Sequence, residues 1–547
     1  MTAFPPPGPG HWALDRSHYP GGTTRLSKQL MTAGMDAGMK TVLAELGMPA
    51  QTLRAAFVNG FMYTRLVPLI APDKPATRLP PLWVLKMATR LHPEFRRRNR
   101  SAVRNLAQPP APAVVARWST ELKPRLVATN RAFQATDPAE MTDVALGDHA
   151  DALVSHLAEM AELHFWLHGY DLGPIAIFVS TVQGWGIEPA EAVAALAGAS
   201  PSTTEPRKLL VAIREELTSN ANVPTSLDDV RQSSPRAAAL LDEYLADRRH
   251  LLVTRYDIDG LTLAELPEVV LTSILTAEPP APDTSSQTAA QLRDRLPGQH
   301  QAEFDQLLDM ARSVMDMRDD NGPITFQWPA GLLRRALLEI GRRLVSAGRA
   351  RSVEHVFELD ASEIAPLLNG SSHPTADALA ARAAERHAEA LLDPPPTLGP
   401  LEPQPPLSVL PAALQTLVQA VEVALVQMGM SGTLAEDPLA GTGIGATPYR
   451  GRVCRADSPE AAIDAMEPGD VLVIRATSPA FNVILSIAGA VVTADGGPLS
   501  HAAVLARELG IPAVVGARGA LGLTNGAMVE VDPVRGTVRL LQDQAHR

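Results

Sequence analysis

The chain has 547 residues, 46% of them apolar and 20% charged, with a formal net charge of −12. That length accommodates several domains, and the negative balance argues against nucleic acid or an anionic membrane as a general partner. The one cysteine, Cys454, excludes an intrachain disulfide and a cysteine-rich zinc site.

The opening MTAFPPPGPGHW has no basic region followed by an apolar run, and the apolar stretch around Val483–Ala494 is too short to cross a bilayer. A soluble, cytoplasmic protein is expected. From about Trp12 to Leu392 the apolar period is mostly helical. In LLRRALLEIGRRLVSAG, Leu333, Leu337, Ile340 and Leu344 form one stripe, and Gly348 is placed to end the helix. Asp360 and Glu363 make a capping pair for the next helix. Amphipathic runs recur at Ala145–Leu167, Ala237–Leu251 and Ala376–Leu392. Residues 1–392 therefore read as a large, mainly α-helical domain.

DPPPTLGPLEPQPPLSVLP, residues 393–411, is dense enough in proline to favour extended geometry and reads as a semi-rigid spacer. A helix at about Ala412–Met428 completes a connecting segment, 393–432. From 433 to 547 the pattern changes to short strands: RGRVCRA, DVLVIRA, AGAVVTA, PAVVGA, AMVEVD and GTVRLL, with a single strong helix at His501–Leu509. A small α/β domain is expected there. GTGIGA, residues 441–446, leads into a strand rather than a helix, so it is not a dinucleotide loop. No P-loop pattern occurs, and no lysine follows Lys208.

The chemistry concentrates in TADGGPLSHAAVLARELGIPAVVG, residues 493–516. A strand ends at Thr493, Asp495 to Pro498 turn, Ser500 caps a helix, and His501 takes its first position. Backbone N–H groups and the helix dipole favour a phosphate there. A neutral imidazole is nucleophilic near pH 7, and a phosphorylated ring nitrogen is a good leaving group. Gly496 and Gly497 leave room for the phosphate to approach. The bland alternative is a histidine that merely pairs at a helix start.

GGPLSHAAVLARELGIPAVVG closely resembles the phosphohistidine motif of the swivelling domain in PEP-utilizing enzymes, such as PEP synthase, pyruvate phosphate dikinase and rifampicin phosphotransferase. The resemblance runs from GTGIGATPYRGRV through PGDVLVIRATSP to TNGAMVEVDPVRGTVRLL, about Gly441–Leu541. It implies that His501 is phosphorylated, that Gly496, Gly497 and Ser500 form its turn and cap, and that Arg507 supports it. Leu499 departs from the threonine usual in the dikinases, which leaves a hydrogen bond to the imidazole in doubt. More loosely, HWALDRSHYPGGTTRL, VNGFMYTRL, the stretch around Tyr244–Pro267 and RRALLEIGRRLVSAGRARSVEHVFELDASEI resemble the substrate domain of rifampicin phosphotransferase. This implies a helical domain that binds a small molecule and presents its hydroxyl.

Within that region His164 and His168 lie one helical turn apart, with His149 and His156 before them. They are candidates for a general base, and so are Asp15 and His18. A two-histidine metal site lacks a clear third ligand, so no metal is expected. The arginines of RLHPEFRRRNRSAVR, residues 90–104, read best as a solvated helix face. Phe57, Phe61, Tyr63, Phe165 and Trp166 are aromatic candidates for core or pocket.

The resemblance accounts for no ATP-grasp domain and no PEP-binding barrel in this sequence. The expected activity is therefore that of a phosphotransferase component: His501 carries a phosphoryl group to a small-molecule hydroxyl acceptor. ATP and Mg would be bound not directly but by a separate ATP-grasp phosphoryl-donor protein. The alternative is a phosphohistidine-dependent binding or regulatory protein that performs no small-molecule chemistry.

Overall fold

The computed structural model describes residues 3–15, 18–74, 78–218, 223–279, 285–429, 437–477 and 481–541. Contacts divide the chain into two compact units: residues 1–171, 256–260 and 321–419, and residues 172–255, 261–320 and 420–547. A large helical region and a small C-terminal α/β domain are both present.

The first unit is mainly helical but also contains a sheet that the helical reading of 1–392 leaves out. Strands β1 (Trp12–Asp15), β2 (Ala50–Val58), β3 (Phe61–Pro68) and β4 (Thr397–Leu398) pair in the order β2-β3-β1-β4. The β2–β3 hairpin turns through Asn59 and Gly60, at φ 47° and 77°. Asn-Gly supplies the two left-handed residues that such a turn requires. The dipeptide is visible in VNGFMYTRL, and the adjoining AQTLRAAFV has the β-branched and aromatic character of a strand only in part.

The proline-rich stretch is extended, as its composition demands, yet it is not a free spacer along its whole length. Leu398 and Thr397 of β4 pair with Trp12 and Ala13 of β1. The Tyr63 hydroxyl donates to the Pro395 carbonyl at 2.9 Å, and Arg65 reaches Glu402 at 3.3 Å. An extended segment is already in strand geometry, so a neighbouring edge strand can capture it.

Helix Arg25–Leu46 starts at Thr24, whose hydroxyl accepts from the Ser27 N–H, and ends at left-handed Gly47. It crosses the 42-residue helix Asp143–Gly184 at very short range. A β-carbon on Gly34 would lie 2.5 Å from that of Ala161, and one on Gly38 would lie 2.3 Å from the Glu162 carbonyl oxygen. Gly169 leaves equivalent room for Val42. Three glycines thus fix the depth at which the long helix, with its four histidines, is seated. The Leu333, Leu337, Ile340 and Leu344 stripe is buried within helix Trp328–Ser346, Gly348 takes φ 69°, and Asp360 and Glu363 form a reciprocal cap.

In the second unit, the helices between 201 and 275 share a core that includes Ile213, Leu241, Val270 and Ile274. The expected strands follow: β5 (Thr442–Ile444), β6 (Tyr449–Arg455), β7 (Val471–Ile474), β8 (Ala490–Thr493), β9 (Ala513–Val515), β10 (Met528–Asp532) and β11 (Thr537–Leu540). Their order is β11-β10-β6-β7-β8-β9-β5, with β6 to β9 mutually parallel. Leu472, Ile474 and Val491 face one core, while Val471, Val473, Ala490 and Val492 face the other. That alternation is why both sides of a nearly continuous apolar run are buried. GTGIGA supplies β5 itself. Helix His501–Leu509 is not the single helix of this domain: Pro459–Ala465, capped by Ser458, is another. Among the described residues no helix is long and apolar enough to cross a membrane.

Candidate functional site

The first site lies at the carboxyl ends of β7 and β8, where parallel α/β sheets commonly place their ligands. After β7 and β8 the two chain segments stay paired: Ala494 N–H donates to the Ile474 carbonyl at 2.9 Å, and Asp495 N–H to the Arg475 carbonyl at 2.7 Å. This brings Thr477 to His501, with Oγ1 2.8 Å from Nδ1. The hydroxyl in doubt at Leu499 is therefore supplied by a different strand end. Thr477 stands in DVLVIRATSP, but only strand pairing shows that it meets the imidazole.

Ser500 caps helix His501–Leu509 by accepting from the Ala503 N–H, and left-handed Gly510 ends it. His501 thus occupies the first helical position, as the sequence indicates. Gly496 has φ 120°, a conformation that suits glycine. Gly497 serves close packing, because a β-carbon there would fall 2.4 Å from the Gln427 carbonyl oxygen. The same carbonyl accepts from the Leu499 N–H at 2.8 Å. The Gly-Gly turn is consequently filled by neighbouring backbone in this structure.

Arg507 donates through Nη1 to the Pro498 carbonyl at 2.6 Å, tying the helix back to its own entry turn. Burial pulls its pKa down to about 10, and neighbouring Glu508 opposes that shift. Leu499 is 1% exposed and shares a small apolar cleft with Val193, Leu196, Ala197, Met315 and Val504. Arg318 donates to its carbonyl at 3.4 Å.

A second cluster lies within the first unit. His149, His156, His164 and His168 do share one helix. His156 bonds Asn130 at 2.9 Å and packs on Phe133, and His149 also packs on Phe133. These two are structural. His164 and His168 face one another, with their Nε2 atoms 3.1 Å apart. His168 Nδ1 meets Asp171 Oδ2 at 3.0 Å, and His164 Nδ1 meets Thr325 Oγ1 at 3.1 Å. Burial, together with His168 and His18, holds the His164 pKa well below its ordinary value.

Asp15 and His18 form the expected pair at 2.8 Å, and the Asp15 carboxylate raises the His18 pKa. The His18 ring lies 5.4 Å from Tyr256, Tyr256 lies 5.7 Å from Phe326, and Phe326 lies 6.2 Å from His164. The two candidate pairs, far apart in sequence, thus border one aromatic-lined place. Asp171, Asn321, Thr325 and Tyr256 were not legible as members of it, because three segments distant in sequence supply them.

The other aromatics divide. Phe61 and Tyr63 join Trp12 in a buried core, and Phe57 packs edge-on against Tyr19. Trp166 donates to Glu45 at 2.7 Å, while Phe165 packs against His164. In the arginine-rich stretch, Arg97 and Arg98 both bond Glu94. No group of three or more metal-ligating side chains occurs among the described residues.

Parts of the chain are similar to known proteins. Residues 466–536 match the PEP-utilising enzyme mobile domain. Phosphoenolpyruvate synthase of Aeropyrum pernix is 49% identical over 89 residues, 16% of this chain and 11% of that protein. An uncharacterised protein of Mycobacterium tuberculosis is 37% identical over 212 residues, 39% of this chain and 22% of that one. Chondramide synthase of Chondromyces crocatus is 27% identical over an alignment covering 97% of this chain and 14% of the synthase. The chain thus spans under a quarter of the length of each of these relatives. The matched segment 466–536, which includes His501 at the start of its capped helix, is thus similar to the mobile domain of the PEP-utilising enzymes.

Proposed function

We propose that this protein is a phosphotransferase component in which His501 carries a phosphoryl group to a hydroxyl of a small molecule. The observation that carries this reading is the Thr477–His501 contact at a helix N-terminus within the mobile-domain segment. When the Nδ1–H donates to Thr477, the lone pair lies on Nε2, which is then the nucleophile. Phosphate bound there gains from the helix dipole and from the N–H groups that begin the helix. Ser500 and Arg507 hold the turn; Gly496 and Gly497 let it close.

The acceptor hydroxyl is assigned to the cluster of Asp15, His18, His164 and His168. An ATP-grasp protein on another chain is the proposed donor, with ATP and Mg bound there. Catalysis is then chiefly positioning and charge stabilisation around the transferring group.

Phosphoramidate tests the first step without a partner protein, since its P–N bond breaks to release ammonia as phosphohistidine forms. The expected result is an acid-labile, alkali-stable phosphate on the peptide containing His501, absent from His501→Ala. A wild-type peptide that remains unmodified while surface histidines react would reject the assignment. Stable label that survives every hydroxyl compound offered would favour a regulatory phosphohistidine instead.

A further inference from the structure

The His164–His168 pair has a proton inventory that its hydrogen bonds determine. Asn321 donates its side-chain N–H to the His164 carbonyl at 3.1 Å, which turns its amide oxygen toward Thr325. The Thr325 hydroxyl has one hydrogen and meets two acceptors on Asn321, the backbone carbonyl at 2.5 Å and the amide oxygen at 2.9 Å. It therefore accepts from His164, placing that ring's proton on Nδ1. On the other side, His168 Nδ1 faces the fully buried Asp171 carboxylate, whose Oδ1 has no partner among the described residues. A desolvated carboxylate with one oxygen unsatisfied demands a donor, so His168 also carries its proton on Nδ1.

Both Nε2 lone pairs then point into the same 3.1 Å gap. Two lone pairs at that distance repel, one proton between them binds both, and two protons put like charges side by side. The ring centroids are 4.5 Å apart. The charged and titratable groups around the pair are Asp171 on its own helix, Asp15 at the end of β1 with His18 just beyond it, and Tyr256 on the 256–260 segment. Asp171 stabilises one added positive charge, while His18 opposes a second.

Resting on the phosphotransfer reading above, we propose that His164 and His168 form a single base that takes up one shared proton, with Asp171, Thr325 and Asn321 as its positioning residues. In the transfer step the acceptor oxygen forms a bond to phosphorus and the P–Nε2 bond to His501 breaks. The bonding pair returns to the His501 ring, and the proton of the acceptor hydroxyl enters the His164–His168 gap. Electrons and atoms balance with no further reactant. The next proton release to solvent resets the pair.

The test uses the full chain labelled with ¹⁵N-histidine, titrated by NMR from pH 9 to pH 5. Signals are assigned with His164→Gln and His168→Gln; should these fail to fold, the coupling between the two Nε2 nuclei across the shared proton identifies them directly. Both rings are expected as Nδ1–H tautomers, with the two Nε2 signals moving together through one midpoint and no second uptake by pH 5. Asp171→Asn should weaken proton binding at least tenfold, and Asp171→Glu should restore part of it, an effect that simple loss of packing does not produce. Independent midpoints, an Nε2–H tautomer on His164, or an unmoved midpoint in Asp171→Asn would overturn the proposal. The outcome is separable from the phosphohistidine reading: His501→Ala leaves this titration unchanged, and an unlabelled His501 beside a shared proton rejects only the transfer step.

Discussion

His501 and His164 have the same anchor and different surroundings. Each places Nδ1 against a threonine hydroxyl, Thr477 at 2.8 Å and Thr325 at 3.1 Å. His501 begins a helix, so its neighbours include N–H groups that the helix cannot satisfy internally. His164 lies in the middle of a long helix, where every backbone donor is already used, and its other nitrogen meets a second imidazole. A histidine's chemistry is thus set by what remains after its first hydrogen bond. At a helix start the neighbouring N–H groups favour the anion proposed for His501; beside another histidine and a buried carboxylate the surroundings favour the shared proton proposed for His164 and His168.

Removing His501 breaks this comparison most completely. In His501→Ala the phosphoramidate-derived label at that peptide should disappear, a loss of at least ~100-fold if the ring is the nucleophile. Residual acid-labile label on the same peptide would place the chemistry elsewhere.

A structural change tests the proton site from a distance. Gly38→Ala puts a methyl group against the Glu162 carbonyl, where neither backbone can yield cheaply. The expected cost is about 1–3 kcal/mol in urea unfolding, with a changed separation of the His164 and His168 signals. Unaltered stability would show that the helix crossing does not set their position.

Burial gives opposite pH signatures in the two units. In the second unit Asp319 has its pKa raised to about 6, chiefly by burial, with Arg318 opposing, and its Oδ2 lacks a partner among the described residues. The native state therefore binds more protons than the unfolded chain from about pH 4 to 6, and stability falls as pH rises through that window. Asp319→Asn should stabilise the protein by about 1–2 kcal/mol at pH 8 and change little at pH 4. Equal effects at both pH values would refute the ionisation argument. His164 is shifted downward by the same cause, so the unfolded chain accepts a second proton on His164 and His168 before the native pair does, and that contribution to stability is lost as pH falls below about 6.5.

The smallest effect concerns the anchor itself. Thr477→Val keeps the shape of the side chain but removes the hydroxyl that orients His501. Phosphorylation by phosphoramidate should slow roughly 5- to 10-fold, corresponding to about 1 kcal/mol, without a matching loss of stability. An unchanged rate would separate the tautomer from reactivity.

The sequence by itself determined the His501 site to a considerable depth, because that site is built from consecutive residues. A strand, a glycine turn, a Ser500 cap and an alanine-rich helix are local features, and each follows from backbone preference or short-range hydrogen bonding. The parallel strands around it were equally legible from their apolar runs. The β2–β3 hairpin was signalled by Asn59-Gly60, but the strand propensity beside it was too mixed to stand out. What only the tertiary structure decided are the meetings between distant segments. Thr477 reaches His501 because two parallel strands end at the same edge, and the 393–411 stretch is held by β1 because an edge strand has donors and acceptors to spare. Asn321 and Thr325 meet His164 because packing brings the 321–327 segment against helix Asp143–Gly184, where Asp171 already lies one turn beyond His168. Periodicity shows which face of a helix is apolar; it holds no information about which polar groups packing will bring against that face.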